Sequence, residues 1–155
     1  MLSIISITAD ILGIISAIIT VISAIAIRKY YQKIVKQYNV EKLTLSEQHI
    51  HQAIEDIQQL KKMYNANSRG LSANKLSELY CNIENNLNLI TFELPSSFEE
   101  ILNASFDAKK LIQKATDKSC ISSKNSYFEE LSVMLDALNL SIKKEKENIQ
   151  YENMK

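Results

Sequence analysis

The sequence predicts an all-α chain: one N-terminal transmembrane helix followed by a cytoplasmic antiparallel helical bundle of about four helices. Three observations lead there. The 155 residues include only 2 Gly and 1 Pro, too few for the turns of a many-stranded sheet or for a Gly-rich phosphate loop. Eleven of the 22 isoleucines lie in the first 27 residues. Beyond Thr44, apolar residues recur at helical steps between stop signals.

The N-terminal element is read from charge and length. From Ile11 to Ile27 the chain (ILGIISAIITVISAIAI) carries no charge, and the apolar run reaches back to Ile4 across Asp10. Ile4 to Ile27 would span about 36 Å as a helix, enough for a hydrocarbon core of about 30 Å. A buried core helix rarely stays uncharged for so long. A cleaved signal peptide would require basic residues before the apolar stretch, and here they follow it: Arg28, Lys29, Lys33 and Lys36. By the positive-inside rule this flank is cytoplasmic and the N-terminus lies outside, in the inner membrane. Together with Tyr30 and Tyr31, these four form the expected membrane-interface set, and Tyr38 extends the aromatic belt. A periplasmic, spanin-like linker would need the opposite orientation.

Ser6, Asp10, Gly13, Ser16, Ala17, Thr20 and Ser23 follow one another at steps of three or four, apart from the adjacent Ser16 and Ala17. On a helix they form one stripe, with isoleucines over most of the remainder. Gly13-x-x-x-Ala17 is a small-xxx-small pair of the kind that lets helix backbones approach. A carboxylate such as Asp10 costs about 2.5–3.5 kcal/mol at mid-bilayer and less near an interface. Two arrangements satisfy the pattern. Either Asp10 sits at the outer headgroups and the small residues fill space, or the stripe is an oligomerisation seam or pore lining with an Asp10 ring at its mouth.

The remainder divides into a transmembrane segment 1–28, a basic juxtamembrane segment and hinge 29–44, a bundle 45–145 and a frayed charged tail 146–155. Thr44-x-x-Glu47 has the form of a capping box. It would open a helix to about Ala66 with Ile50, Ile54, Ile57, Leu60 and Tyr64 on one face. Asn65–Gly70 reads as a loop. A second helix, about Ser72 to Thr91, places Leu76, Leu79, Tyr80, Ile83, Leu87 and Ile90 together, and Pro95 ends it. Ser97-x-x-Glu100 opens a third to about Thr116, with Phe98, Ile101, Leu102, Phe106, Leu111 and Ile112. After a polar stretch 117–125, Ser126-x-x-Glu129 opens a fourth with Phe128, Leu131, Met134, Leu135, Leu138 and Ile142. Such helices fit an antiparallel bundle large enough to fold alone.

The sequence offers no catalytic constellation. His49 and His51, two apart on a helix, diverge by about 200° and cannot share a metal from it. Glu-x-x-His, HExxH, Walker and nucleophile-elbow motifs are missing. Arg28 and Arg69 are the only arginines, and neither is followed by His at the spacing of a HEPN nuclease. Cys81, on a helix and partly buried, and Cys120, in an exposed loop, read as free thiols. Two glycosylation-type triplets, at Asn103 and Asn139, have no bearing in a cytoplasmic domain. The expectation is a protein that is no enzyme, needs no cofactor or metal and does not bind nucleic acid directly.

The polar-striped Ile4–Ile27 helix, the basic Arg28–Lys36 segment and the following bundle give a layout that resembles small membrane-anchored effectors and accessory proteins of bacterial antiviral systems. Among these, accessory proteins of RNA-targeting CRISPR systems form membrane pores from one N-terminal helix and a HEPN-like bundle. The resemblance lies in the order of parts, so no family residue is carried over. It implies a homo-oligomer in the lipid bilayer that perturbs or permeabilises it. A small nucleotide signal or a protein partner would act on the bundle. An alternative from a different class is an anchored adaptor or immunity-type protein that binds a partner through its bundle.

The mean hydropathy of −0.12 and net charge of zero conceal this division. Zero resolves into −1 over residues 1–27, +4 over 28–40 and −3 over 41–155.

Overall fold

A bundle seam begins at Leu43. From there Leu43, Ser46, Ile50, Ala53, Ile57 and Leu60 alternate steps of three and four, and all six are buried. This spacing drives one narrow stripe of a helix against its neighbours. In the computed structural model, which describes residues 2–65, 73–116 and 124–153, that stripe belongs to α1, Leu2–Asn65. There follow α2 (Ala73–Glu93), a 3-10 turn at Ser96–Phe98, α3 (Glu99–Thr116) and α4 (Lys124–Asn153). Among the described residues only Leu94 and Pro95 are non-helical. The all-α expectation therefore holds.

The chain divides into two compact units, Met1–Tyr38 and Asn39–Lys155. In the second, α3 packs against α2 and α4. The α1 segment from Asn39 onward meets those same two helices. His49 pairs with Asn86 of α2, and Lys61 with Glu129 of α4. Neighbours run antiparallel: Glu47 meets Lys143 and Lys146, whereas Lys61 meets Glu129. On the α2–α3 side, Lys109 donates to Asn88 at 2.7 Å and Gln113 to Glu84 at 2.8 Å.

Each helix contributes a stripe to one core. Ile83, Leu87 and Ile90 come from α2, Ile101, Ala108 and Ile112 from α3, and Phe128, Leu131, Leu135 and Ile142 from α4. Tyr64 and Tyr80 close one region of it around Phe128, with ring centroids 5.2 and 6.2 Å from that of Phe128. The α2–α3 corner follows from Pro95. Its φ of −59° and ψ of 151° leave the helical region, and the ring supplies no N–H to continue α2. The Phe98 N–H then donates to the Pro95 carbonyl at 3.1 Å, and the Phe98 ring is buried. Glu99 and Glu100 occupy the first turn of α3, where carboxylates suit the helix dipole.

Several sequence expectations are corrected. Residues 39–44 form no break, since α1 runs through them. Thr44 does not cap a helix; its hydroxyl donates to the Val40 carbonyl at 2.8 Å, because a preceding turn already exists to accept it. Ser97 lies within the 3-10 turn, and Ser126 within α4, which starts two residues earlier at Lys124. Phe106 is exposed, and the core position beside it is taken by Ser105, whose hydroxyl donates to the Ile101 carbonyl at 2.9 Å. Cys81 is exposed. The tail does not fray at 146: α4 continues to Asn153 because Lys143 and Lys146 engage Glu47 and Ile149 packs against the core. The loop expected at 65–70 is helical at Asn65 and otherwise lies outside the described residues, as does 117–123 with Cys120.

The two kinds of α2 position should separate in unfolding experiments. Ile83→Ala should cost about 2–5 kcal/mol, and Phe92→Ala, at a side chain 88% exposed, no more than about 0.5 kcal/mol. Urea unfolding in mild detergent, followed by circular dichroism, would measure both. Equal losses would contradict this core.

Candidate membrane helix and bundle polar sites

The N-terminal part of α1 is exposed from Leu12 onward. Every described side chain from Leu12 to Val35 is exposed, including nine large aliphatic residues between Leu12 and Ile27. Isolated exposed apolar residues are ordinary, but a contiguous surface of this extent marks contact with lipid or another protein. Among the described residues one helix is long and apolar enough to cross a membrane.

Gly13, Ser16, Ala17, Thr20 and Ser23 are exposed on this helix. Ser6 and Asp10 also lie on α1, and their side chains lie outside the described ones. Thr20 donates its hydroxyl to the Ser16 carbonyl at 2.8 Å. This internal partner removes the main cost of a hydroxyl in hydrocarbon. A Cβ placed on Gly13 would meet nothing within 4 Å, so the chain itself does not require glycine there. Any constraint on that position comes from outside a single copy. Arg28, Lys29, Tyr30, Tyr31 and Lys33 are exposed, and Lys36 is half-buried. Ion-pairable and aromatic groups of this kind suit a membrane boundary, where long side chains reach water from an apolar stem.

Within the bundle, four polar groupings were missed by sequence reasoning. Glu47 on α1 gathers charge from α4: it pairs with Lys146 and lies 3.8 Å from Lys143, with His51 4.0 Å away on its own helix. The Lys146 hydrogen bond holds the Glu47 carboxyl below the usual carboxylate range. Burial opposes this, and the Lys146, Lys143 and His51 charges assist it. Asp56 is 3% exposed. Gln52 donates to its Oδ1 at 3.4 Å, and its Oδ2 has no partner. Burial raises its pKa; the Gln52 hydrogen bond opposes the rise, and Glu55 and Glu78 add to it. Ser46 is likewise buried with an unpartnered hydroxyl. The available signal was its position between Leu43 and Ile50, on the core stripe. The Tyr64 and Tyr80 hydroxyls meet at 3.3 Å, and burial pushes the Tyr80 phenol above its ordinary range.

The histidines do not converge. His49 Nδ1 lies 3.1 Å from Asn86 Oδ1, whereas His51 is exposed. Among the described residues no group of three His, Cys, Asp or Glu side chains is placed to hold a metal ion. A cavity of about 540 Å³ opens where Asn39 of α1, the start of α3 and the later turns of α4 meet. Phe98, Ile101 and Ile149 give it apolar walls, and Ser97, Glu99, Glu100, Ser141, Lys144 and Glu145 a polar rim.

Comparison with protein-family models, curated proteins and solved structures finds no match to this chain.

The two carboxylates should give opposite pH behaviour. A lowered folded-state pKa makes the Glu47 contribution complete above the carboxylate range and lost as pH falls through the lowered value. Glu47→Gln should thus cost about 1–2 kcal/mol at neutral pH, and little in acid. For Asp56 the raised folded-state pKa means that ionisation penalises the fold as pH rises through that value. Asp56→Asn should stabilise by about 1 kcal/mol at neutral pH, with the gain vanishing in acid. Thermal unfolding across pH would check both signs.

Proposed function

We propose that this protein is a homo-oligomeric, single-pass protein of the inner membrane whose polar-striped helix perturbs or permeabilises the bilayer. Its N-terminus lies outside, and its cytoplasmic bundle assembles the oligomer or senses a signal, in bacterial antiviral defence. The observation that carries this reading is the uncovered Leu12–Ile27 surface with its small-residue and hydroxyl stripe. Lipid would cover the isoleucines, and a second helix or pore water would meet Gly13, Ser16, Ala17, Thr20 and Ser23. The basic run from Arg28 supports the orientation. The defence setting rests on the layout resemblance alone. The reading assigns no catalytic step, no cofactor and no nucleic-acid contact.

A second reading has its own observation. Phe92 is 88% exposed, and Phe106 and Leu89 are also exposed. The Lys109–Asn88 and Gln113–Glu84 pairs place Phe92 and Phe106 at similar levels on neighbouring helices. An exposed aromatic pair of this kind suits a protein partner, as an anchored adaptor would require.

Asp10→Leu together with Thr20→Leu should reduce oligomer size in detergent and abolish leakage of a vesicle-entrapped dye. Unchanged behaviour in both assays would overturn the seam or pore. A membrane potential that stays intact at high expression, in the presence of the trigger, would favour the adaptor. Reporter fusions at each terminus test orientation, and a periplasmic C-terminus would defeat both readings.

A further inference from the structure

The isoleucines of α1 and the basic residues that follow them share one side of the helix. With Arg28 as the origin, exposed Ile14, Ile15, Ile18, Val21, Ile22 and Ile25 fill an arc from roughly 20° to 140°. In the next turns Arg28, Lys36, Lys29 and Lys33 fall at roughly 0°, 80°, 100° and 140°. No acidic residue lies between Asp10 and Glu41 to offset them. The other side of the helix differs along the same length. Gly13, Ser16, Thr20 and Ser23 lie there, and exposed Tyr30, Tyr31 and Ile34 continue it. All of these residues except Glu41 belong to one compact unit, Met1–Tyr38. A flank that served only to orient the helix would be indifferent to which side carried its charge. Here the charge is confined to the end of the isoleucine side.

We propose that this side of α1 binds an anionic phospholipid, with the phosphate on Arg28, Lys29 and Lys33 and the acyl chains along Ile25, Ile22 and Ile18. The inference rests on the single-pass reading above and names the lipid that the helix meets. An apolar face ending in ammonium and guanidinium groups has the order of parts of such a lipid, chains and then phosphate. The lengths agree. Ile18 and Lys29 are eleven residues apart, about 16 Å along the axis, close to half of a hydrocarbon core about 30 Å thick. A shallow apolar groove of about 270 Å³ opens on this side between Ile18, Val21 and Ile22, with Ala17 at its edge. Charge alone would serve a nucleic acid equally well, but a polyanion without chains leaves the isoleucines uncovered. Lipid matches both parts. It also leaves the small-residue side to the second helix or pore water.

The chain has no Trp, so Ile25→Trp places a single fluorophore on the proposed lipid face and leaves the basic residues intact. The full-length protein carrying it is reconstituted into vesicles of equal shares of phosphatidylglycerol and phosphatidylcholine. One or the other lipid is brominated in its chains, and quenching is compared. Both leaflets have the same composition, so orientation does not affect the result. Brominated phosphatidylglycerol should compete for the reporter about fivefold better than brominated phosphatidylcholine, the weight of about one basic residue beside an anionic surface. Arg28→Gln, Lys29→Gln and Lys33→Gln together should bring the two lipids to parity. Lys29→Arg with Lys33→Arg keeps the charge and should keep the preference. Equal quenching with the natural flank, a preference that survives the triple change, or parity in the arginine variant overturns this inference alone. A reporter that neither lipid quenches overturns the single-pass reading and this inference with it.

Discussion

One helix carries two kinds of surface, and the rest of the structure depends on that constraint. Away from its ends an α-helix satisfies its backbone groups internally, so a helical segment can lie in hydrocarbon or in water. Its side chains decide which. From Leu12 to Val35 every side chain, isoleucines included, is exposed. From Leu43 onward the apolar residues narrow to a seam that α2 and α4 bury. The change from an apolar surface to an apolar stripe occurs across Arg28–Lys36. Those charges end the uninterrupted apolar surface.

The bundle is specified by its seams more than by its caps. Steps of three and four run through α1, α3 and α4, and the antiparallel register is fixed by pairs such as Lys61–Glu129 and Lys109–Asn88. Exposed ion pairs add little stability. Glu47 differs because its side chain is 16% exposed and receives two lysines from α4. It ties the part of α1 that follows the basic segment to the part of α4 that composition alone would leave loose.

Periodicity made the helices legible, and local chemistry did not. Ile50, Ile57, Ile83, Leu87, Leu131 and Leu135 are buried as their spacing requires, because repeated apolar steps report a property summed over many residues. The capping boxes failed at Thr44 and Ser126 because a capping residue is recognised only where a helix begins, and an adjoining helical segment overrides it. Residues 39–44 are helical for the same reason, and the boundary between the two compact units falls at their start. Phe106 misled because hydrophobicity was weighed above phase: Ser105 and Ala108 hold the core positions, and the aromatic ring lies one position off the seam. The long-range pairs of Glu47 and the burial of Asp56 depend on contacts between helices. A single sequence does not encode those legibly. The polar stripe from Ser6 to Ser23 was legible as a pattern, and α1 supplies the helix it needs; whether lipid or another helix meets it is a property of the assembled protein.

The polar defects of the core are not spread evenly. Ser46 and Asp56, each buried with an unpartnered oxygen, both belong to α1, and Asn139, with a third, lies one turn before Lys143 on the side of α4 that bears the Glu47 pairs. Among the described residues Glu93 on α2 is the remaining one. An unsatisfied buried polar atom costs about 1–3 kcal/mol, so the seams that dock α1 give up stability that apolar residues would have supplied. The α2–α3 seam has instead an apolar centre flanked by satisfied pairs, Lys109–Asn88 and Gln113–Glu84. Local opening follows the weakest contacts first. In this bundle those contacts hold the part of α1 from Asn39 to Asn65, so this seam is expected to open before the α2–α3 seam.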